Sequence, residues 1–305
     1  MLEIRDYDPS MQPDVERVYG SYMSDLGIDY EPGGRHKDIV DIPRNYLAAG
    51  AFWCLFDEAE LVGMVAVRAL DGDHSAAEIK RLYVLPAYHG LGYGQAMFTR
   101  ALRFLKQEGY GRALLDTRRD LVAARRLYDK FGFIETGRYN DNHHAELFFE
   151  RDLASLELPP RSVFFPARTP PRPDFVVIAS VYEGRWIFVR RFDRDTYEMP
   201  GGHIEAGERP MEAARRELYE ETGATHQILS FVAGYGVARD TAVSSGMLYM
   251  AEVSHLGRLP DFEIAERILS DTEPDRMTYP DIQPALLAKA KAWLLAQQVR
   301  MLEGV

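Results

Sequence analysis

Six of the chain's seventeen prolines fall within fifteen residues, PPRSVFFPARTPPRP at 159–173. Proline has no backbone N–H, and it disfavours helix in the residue before it. No helix or central strand can run through this stretch. The 305 residues are therefore expected to fold as two units, 1–155 and 174–305, joined by an extended, semi-stiff connector at 156–173. Phe164 and Phe165 are unusual in a pure linker and are expected to pack on one of the units. Acidic residues outnumber basic ones in both halves, and the net charge is −11. A surface built to neutralise phosphates is therefore not expected, nor is nucleic-acid binding. The one cysteine, Cys54, excludes an intrachain disulfide and fits a reducing compartment. The start lacks a basic-then-apolar leader, and no apolar run reaches about 18 residues. A cytoplasmic chain with no membrane span is expected.

Both halves mix helices and strands, so the expected class is α+β in two domains. In the first half, residues 2–8, 51–57, 61–69, 77–84, 112–117 and 145–153 read as strands, and 11–25, 92–108 and 120–131 as helices. In the second half, two apolar runs flank Glu183 and Gly184, which reads as a hairpin. A helix is expected over about 210–222, with Pro210 near its start. Strands follow near 227–237 and 246–254. A last helix begins near Pro284, with Leu286, Ala290, Trp293 and Leu294 on one face.

The strongest chemical signal follows Gly202. Five residues separate Gly202 from Glu208, and seven more lead to Arg216-Glu217-Leu218, then Glu220-Glu221 and Gly223-Ala224. On a helix Glu217, Glu220 and Glu221 stand at i, i+3 and i+4 and share one face. Carboxylates that close repel unless a cation lies between them. Hard divalent ions such as Mg²⁺ take oxygen ligands and bridge carboxylates to substrate phosphates. Gly201 and Gly202 let the preceding loop approach closely. Every fixed position of this pattern resembles the Nudix box of the Nudix hydrolases. The resemblance implies an α/β/α sandwich and hydrolysis of a nucleoside diphosphate linked to another group. It implies Mg²⁺ or Mn²⁺ held by Glu217, Glu220 and Glu221, with the Gly202 carbonyl as a further ligand, and an Arg216–Glu208 pair bracing the loop. The hydrolytic base is either a box glutamate or a carboxylate from a later loop, for which Glu263 and Glu266 are the candidates. The expected substrate is a small nucleotide, either a nucleoside triphosphate or an oxidised guanine nucleotide. Phe231, Tyr235 and Tyr249 either stack a base or fill the core.

The first half carries a glycine turn between a strand and a helix: Leu82-Tyr83-Val84, then His89-Gly90-Leu91-Gly92-Tyr93-Gly94-Gln95. Amides turned inward at a helix start, together with the helix dipole, suit a pyrophosphate. With the later run ARRLYDKFGFIETG, this region resembles the GNAT acetyltransferase superfamily over about residues 1–152. His89 stands where that family's motif has Gln or Arg, and Leu121 where an asparagine often precedes the helix tyrosine. The resemblance implies a mixed sheet with flanking helices and acetyl-CoA as cofactor. Its pyrophosphate would meet the amides around Gly90, Leu91, Gly92, Tyr93, Gly94 and Gln95. Its pantetheine arm would lie along Leu82, Tyr83 and Val84. Tyr128 would protonate the leaving thiolate, and Glu78 would take a proton from a small-molecule or peptide amine. Asn140, Asn142, His143 and His144 are candidates to line the acceptor pocket. The two adjacent histidines have no third ligand at a useful spacing, so zinc is not expected.

The intact carboxylate set disfavours a non-enzymatic acidic scaffold that merely senses nucleotides, and two readings remain. One is a bifunctional protein combining metal-dependent nucleotide hydrolysis with N-acetyl transfer. The other is a Nudix hydrolase whose catalytically weak GNAT half serves as a CoA-binding sensor or dimerisation module. A homodimer is compatible with either.

Overall fold

The computed structural model describes residues 2–70, 75–158, 161–166, 168–239 and 241–303. The chain divides into two compact units, Met1–Leu158 with Arg239–Val243, and Pro159–Ala238 with Ser244–Val305. Of the connector, Pro159, Pro160 and Ala167 lie outside the described residues.

The first unit is a mixed sheet with helices on both faces. Its strands are β1 (Leu2–Asp6), β2 (Ala51–Asp57), β3 (Glu60–Ala69), β4 (Ala76–Val84), β5 (Arg112–Thr117), β6 (Ile134–Glu135) and β7 (Leu147–Asp152). They lie in the order β1-β2-β3-β4-β5-β7-β6. Its helices are α1 (Gln12–Asp25), the four-residue α2 (Lys37–Val40), α3 (Tyr93–Gln107) and α4 (Val122–Lys130). Alternation along β2 explains its unbroken apolar run. Phe52, Cys54 and Phe56 join the α1 and α2 cluster with Val18, Tyr19 and Ile39. The intervening Trp53 sets its ring edge-on to Phe104 of α3, 5.2 Å away. A strand covered on both faces has no polar side to show.

β4 and β5 pair in parallel, Ala76 to Glu78 against Arg112 to Leu114. Among the described residues that ladder stops there, while β5 goes on pairing with β7 through Thr117. The second half of β4, which carries Leu82, Tyr83 and Val84, therefore stands beside a gap in the sheet. The break coincides with a register shift against β3 and with a positive φ of 57° at Arg81.

The second unit is a sheet between two apolar layers. Its strands are β8 (Ser162–Phe164), β9 (Phe175–Tyr182), β10 (Arg185–Arg191), β11 (Gly201–His203), β12 (Ala224–Ala238), β13 (Ala242–Leu256) and β14 (Ile264–Ser270), and its helices are α5 (Pro210–Thr222) and α6 (Gln283–Glu303). Val176, Ile178, Ile187 and Tyr249 pack with Ala213, Ala214 and Leu218 of α5. On the other face Ala179, Phe188, Leu248 and Met250 pack with Leu286, Leu287 and Ala290 of α6. The β9–β10 hairpin turns at Glu183 and Gly184, both at positive φ, as a two-residue turn matched to strand twist requires.

Residues 162–164 of the connector are extended and also pair with the second unit: they form β8, antiparallel to β12, with Val163 opposite Val237 and Phe164 opposite Gly236. Phe164 is buried there, whereas Phe165 is exposed. Proline tolerates a strand at a sheet edge, where the missing donor faces outward. The stretch holding Glu266, expected as a loop, is strand β14, paired with β10. Its outward charges hid it, a common feature of edge strands.

Candidate functional sites

In the second unit, Pro210 opens α5 and Gly223 closes it in the left-handed conformation. The helix lies against β11. Gly202 of β11 lies so close that a Cβ placed on it would stand 2.2 Å from Glu217 Oε1. Gly201 donates its amide to Glu221 Oε2 at 2.9 Å. Arg216 grips Glu208 with two hydrogen bonds, Nε to Oε1 at 3.0 Å and Nη2 to Oε2 at 2.9 Å. It also donates to the His203 carbonyl and to Glu217 Oε1, at 3.1 and 2.8 Å, and reaches Glu220 Oε2 at 3.3 Å.

The box carboxylates differ in their neutralisation. Glu217 and Glu220 share Arg216, but among the described residues no cationic side chain forms an ion pair with Glu221. Glu221 is 4% exposed. Burial, then the nearby Glu217, Glu198 and Glu263, push its carboxyl up to about 8, against the pull of the Gly201 amide. Burial also raises Glu217, and Glu220 and Glu263 add to the effect. Among the described residues no three His, Cys, Asp or Glu side chains are drawn together as a metal cluster. The donor set nonetheless suits a hard cation: three glutamates on one helix face, one of them buried without a counter-charge, beside a glycine that leaves space at the carboxylates.

The two later carboxylates separate. Glu263 is close enough to raise both Glu217 and Glu221, and it pairs with Arg191 at 2.7 Å. Glu266 is held by Arg190 Nε at 3.1 Å and the Tyr197 hydroxyl at 2.9 Å, and Tyr197 packs with the α6 cluster. Glu263, unlike Glu266, acts electrostatically on the box carboxylates. Sequence reading missed Glu198, which is buried and acts on Glu221. Its signal was a glutamate in the run Tyr197-Glu198-Met199-Pro200 just before the glycines. Tyr235 and Tyr249 belong to the two cores. Phe231, 41% exposed, sets its ring edge-on to Tyr249 at 5.9 Å.

In the first unit the glycine turn links β4 to α3. Gly90 and Gly92 both have positive φ, and Gly92 is the N-cap of α3. The backbone of Gly94 and Gln95 thus heads the first turn, where a helix attracts anions. Leu91 and Tyr93 bury their side chains, so only their backbones can serve a ligand. The His89 ring folds back, and Nε2 donates to the Val84 carbonyl at 2.6 Å. The Gln95 side chain accepts from Lys130 of α4 at 2.7 Å.

Tyr128, on α4, is buried among Phe98, Phe133 and Phe149. Burial raises its hydroxyl well above the ordinary tyrosine value, with Tyr22 and Asp116 adding to the effect and a bond to Thr117 opposing it. Glu78 is fully buried. Its carboxylate accepts from Arg68 at 2.6 Å, Lys80 at 3.1 Å, Tyr139 at 3.0 Å and Asn140 at 2.8 Å. Burial alone would raise Glu78, but Lys80 and Arg68 outweigh it and hold the carboxyl below its usual range. Asn140 and Asn142 both donate to Asp116, at 2.6 and 3.2 Å. His144 Nε2 meets Arg35 Nη1 at 2.6 Å.

Comparison with known proteins assigns the two units. Residues 16–133 match the acetyltransferase (GNAT) family, and residues 170–290 match the NUDIX domain. The first unit is 30% identical over 145 residues to an uncharacterised N-acetyltransferase of Schizosaccharomyces pombe, covering 47% of this chain and 88% of that protein. It is 33% identical to the N-acetylaspartate synthetase of Rattus norvegicus over 118 residues, which are 38% of this chain and 39% of that protein. The chain thus spans about two fifths of the length of that synthetase. The second unit is 33% identical over 107 residues to a Bacillus subtilis protein provisionally named 8-oxo-dGTP diphosphatase, covering 35% of this chain and 67% of that protein. The crystal structure of a GNAT acetyltransferase from Staphylococcus aureus covers 50% of this chain and 99% of its own, at a TM-score of 0.47 and 21% identity. No helix among the described residues is long and apolar enough to cross a membrane. The two family matches are consistent with acetyltransferase and nucleotide-pyrophosphatase-like activities, and the chain has a two-domain architecture, an N-terminal GNAT acetyltransferase domain followed by a C-terminal Nudix domain.

Proposed function

We propose that the chain is bifunctional, with the border between its activities within residues 156–173. In the second unit Glu217, Glu220 and Glu221, with the Gly202 carbonyl, hold Mg²⁺ or Mn²⁺. Such an ion supplies Lewis acidity toward a phosphoryl oxygen. Arg216 and Glu208 brace the loop, and Glu263 is the later carboxylate best placed to take a proton from water. The substrate is a nucleoside triphosphate or an oxidised guanine nucleotide. The name of the Bacillus subtilis relative and the box itself support this choice. The observation that carries the reading is geometric: Glu217, Glu220 and Glu221 share one face of α5, Gly202 packs against the Glu217 carboxylate, and buried Glu221 meets the Gly201 amide but no cationic side chain among the described residues.

The first unit binds acetyl-CoA along Leu82, Tyr83 and Val84, with its pyrophosphate at Gly90 to Gln95. Tyr128 gives a proton to the leaving thiolate. Glu78, already accepting four hydrogen bonds, fits the positioning of the β6–β7 loop better than proton removal from the amine. That saturation also favours the second reading, a CoA-binding module without transfer. By the names of the relatives, free amino acids come first in an acceptor panel.

The test is a screen for phosphate and pyrophosphate release from nucleoside triphosphates and oxidised guanine nucleotides, with Mg²⁺ or with a chelator. Metal-dependent release that Glu221→Gln abolishes supports the hydrolase reading; release that survives the substitution sinks it. Labelled acetyl transfer to an amine panel, lost in Tyr128→Phe, supports the bifunctional reading. CoA binding without transfer selects the module.

A further inference from the structure

The kink in β4 is held from outside the strand. Arg81 has a φ of 57°, in the left-handed region. It sits where the β3–β4 register slips between the Ala66–Lys80 and Met64–Tyr83 pairs. A residue with a Cβ is disfavoured there, so it persists only where its surroundings fix it.

The fixing groups are identifiable. Arg81 Nη2 donates to Asp38 Oδ1 at 2.9 Å and Oδ2 at 2.7 Å, and Nε donates to Oδ2 at 3.0 Å. The Tyr46 hydroxyl also donates to Asp38 and accepts from Arg81 Nε at 3.2 Å. The guanidinium lies over the Tyr19 ring, 5.1 Å from its centre. Asp38 sits on α2 and Tyr46 in the following helical turn, and both are buried. Burial alone would raise the Asp38 carboxyl, but Arg81 and Tyr46 outweigh it and keep it ionised. A planar fork can hold a carboxylate in this way; an ammonium cannot.

Stability is a weak explanation for such a device. A buried ion pair is seldom more stabilising than apolar side chains of the same size. Its location says more. Bulges re-aim the strand beside functional sites, and the next three residues are Leu82, Tyr83 and Val84, at the gap between β4 and β5.

We infer that the Asp38, Arg81 and Tyr46 clasp is a positioning device for the cofactor. It pins the left-handed kink and so sets the direction in which the Leu82 and Tyr83 backbone groups face the pantetheine arm. The inference rests on the reading that the first unit binds acetyl-CoA.

The test uses the full chain and calorimetric titration with acetyl-CoA. The variants are Asp38→Asn, the doubles Asp38→Asn/Arg81→Ala and Asp38→Asn/Arg81→Gly, and Arg81→Lys. Circular dichroism checks folding, and hydrolase turnover counts active protein. Both doubles bind acetyl-CoA at least tenfold more weakly than wild type. Glycine adopts positive φ without a Cβ clash, so the double carrying Arg81→Gly binds at least threefold tighter than the double carrying Arg81→Ala. A role in stability alone gives no such order, because glycine is the more flexible residue. Arg81→Lys, which keeps charge and loses the fork, binds three- to tenfold more weakly and serves if the doubles do not fold. Folded variants with wild-type affinity, or equal affinity of the two doubles, overturn the inference. Wild-type protein that fails to bind acetyl-CoA overturns the underlying reading of the first unit, and the inference falls with it.

Discussion

Glu78 and Glu221 are both buried glutamates, and they are opposites. Glu78 is surrounded by Arg68, Lys80, Tyr139 and Asn140, and its carboxyl titrates below the usual range. Glu221 has one amide partner and three carboxylate neighbours, and its carboxyl is raised to about 8. One site balances its charge with the protein's own cations; the other has no cationic side chain among the described residues and is balanced by a proton or, on the proposed reading, by a metal ion. Carboxylate burial by itself does not distinguish a structural hub from a ligand site. The identity of the neighbours does.

The largest expected effect tests the open site. Glu221→Gln lowers metal-dependent nucleotide turnover at least about 100-fold, while the melting temperature of the metal-free protein holds or rises. A fall in that metal-free melting temperature would make Glu221 a second Glu78. The reciprocal substitution, Glu78→Gln, destabilises the first unit by about 3 kcal/mol, because the nearly buried Lys80 loses the nearer of its two counter-charges and keeps only Asp116 at 3.9 Å. Nucleotide hydrolysis is unchanged, and an unaltered thermal melt would break the contrast. Mg²⁺ at about 100 times its Kd stabilises the wild-type second unit by about 2.7 kcal/mol, an increment that Glu221→Gln abolishes; equal shifts in both proteins would move the ion elsewhere.

The two sites also respond to pH with opposite sign. For Glu78 the folded carboxyl is lowered, so its contribution is complete above the ordinary value of 4.5 and is lost as pH falls through the depressed one. For metal-free Glu221 the folded carboxyl is raised. Between 4.5 and about 8 the folded state binds the extra proton, so stability falls as pH rises across that window. Melting curves of Glu78→Gln and Glu221→Gln, each subtracted from wild type across roughly pH 3–9, should slope in opposite directions. The smallest effect is Gly202→Ala. Its new Cβ meets the flexible end of Glu217, so stability drops by about 1 kcal/mol or less, while hydrolysis drops about tenfold because a carboxylate is displaced. Unchanged kinetics would show that Glu217 has room to spare.

Much of this was legible in the sequence. The strands 51–57 and 112–117 and the α5 helix announced themselves through apolar runs and turn residues, because both faces of each sheet are covered. Gly202, Glu217, Glu220 and Glu221 were legible because one helix and one preceding loop hold them all. What escaped depends on contacts between distant positions. Glu78 gains its partners from residues 68, 80, 139 and 140, and none of these pairings has a period. Arg81 looked like an ordinary strand residue, since only the slip against β3 reveals its conformation. Glu198 lacked a repeating pattern. β8 was hidden by the prolines that surround it.

That short strand has a practical consequence for dissecting the protein. The Phe164 ring fills space that a side chain at Gly236 would occupy, with Cζ 2.1 Å from where its Cβ would sit. A hydrolase fragment begun at residue 174 would leave a hollow in its own wall, and a glycine–serine spacer substituted for the natural tether would do the same. A hydrolase fragment that keeps this seal therefore begins ahead of residue 161, so that the tether stays with the domain it helps to close.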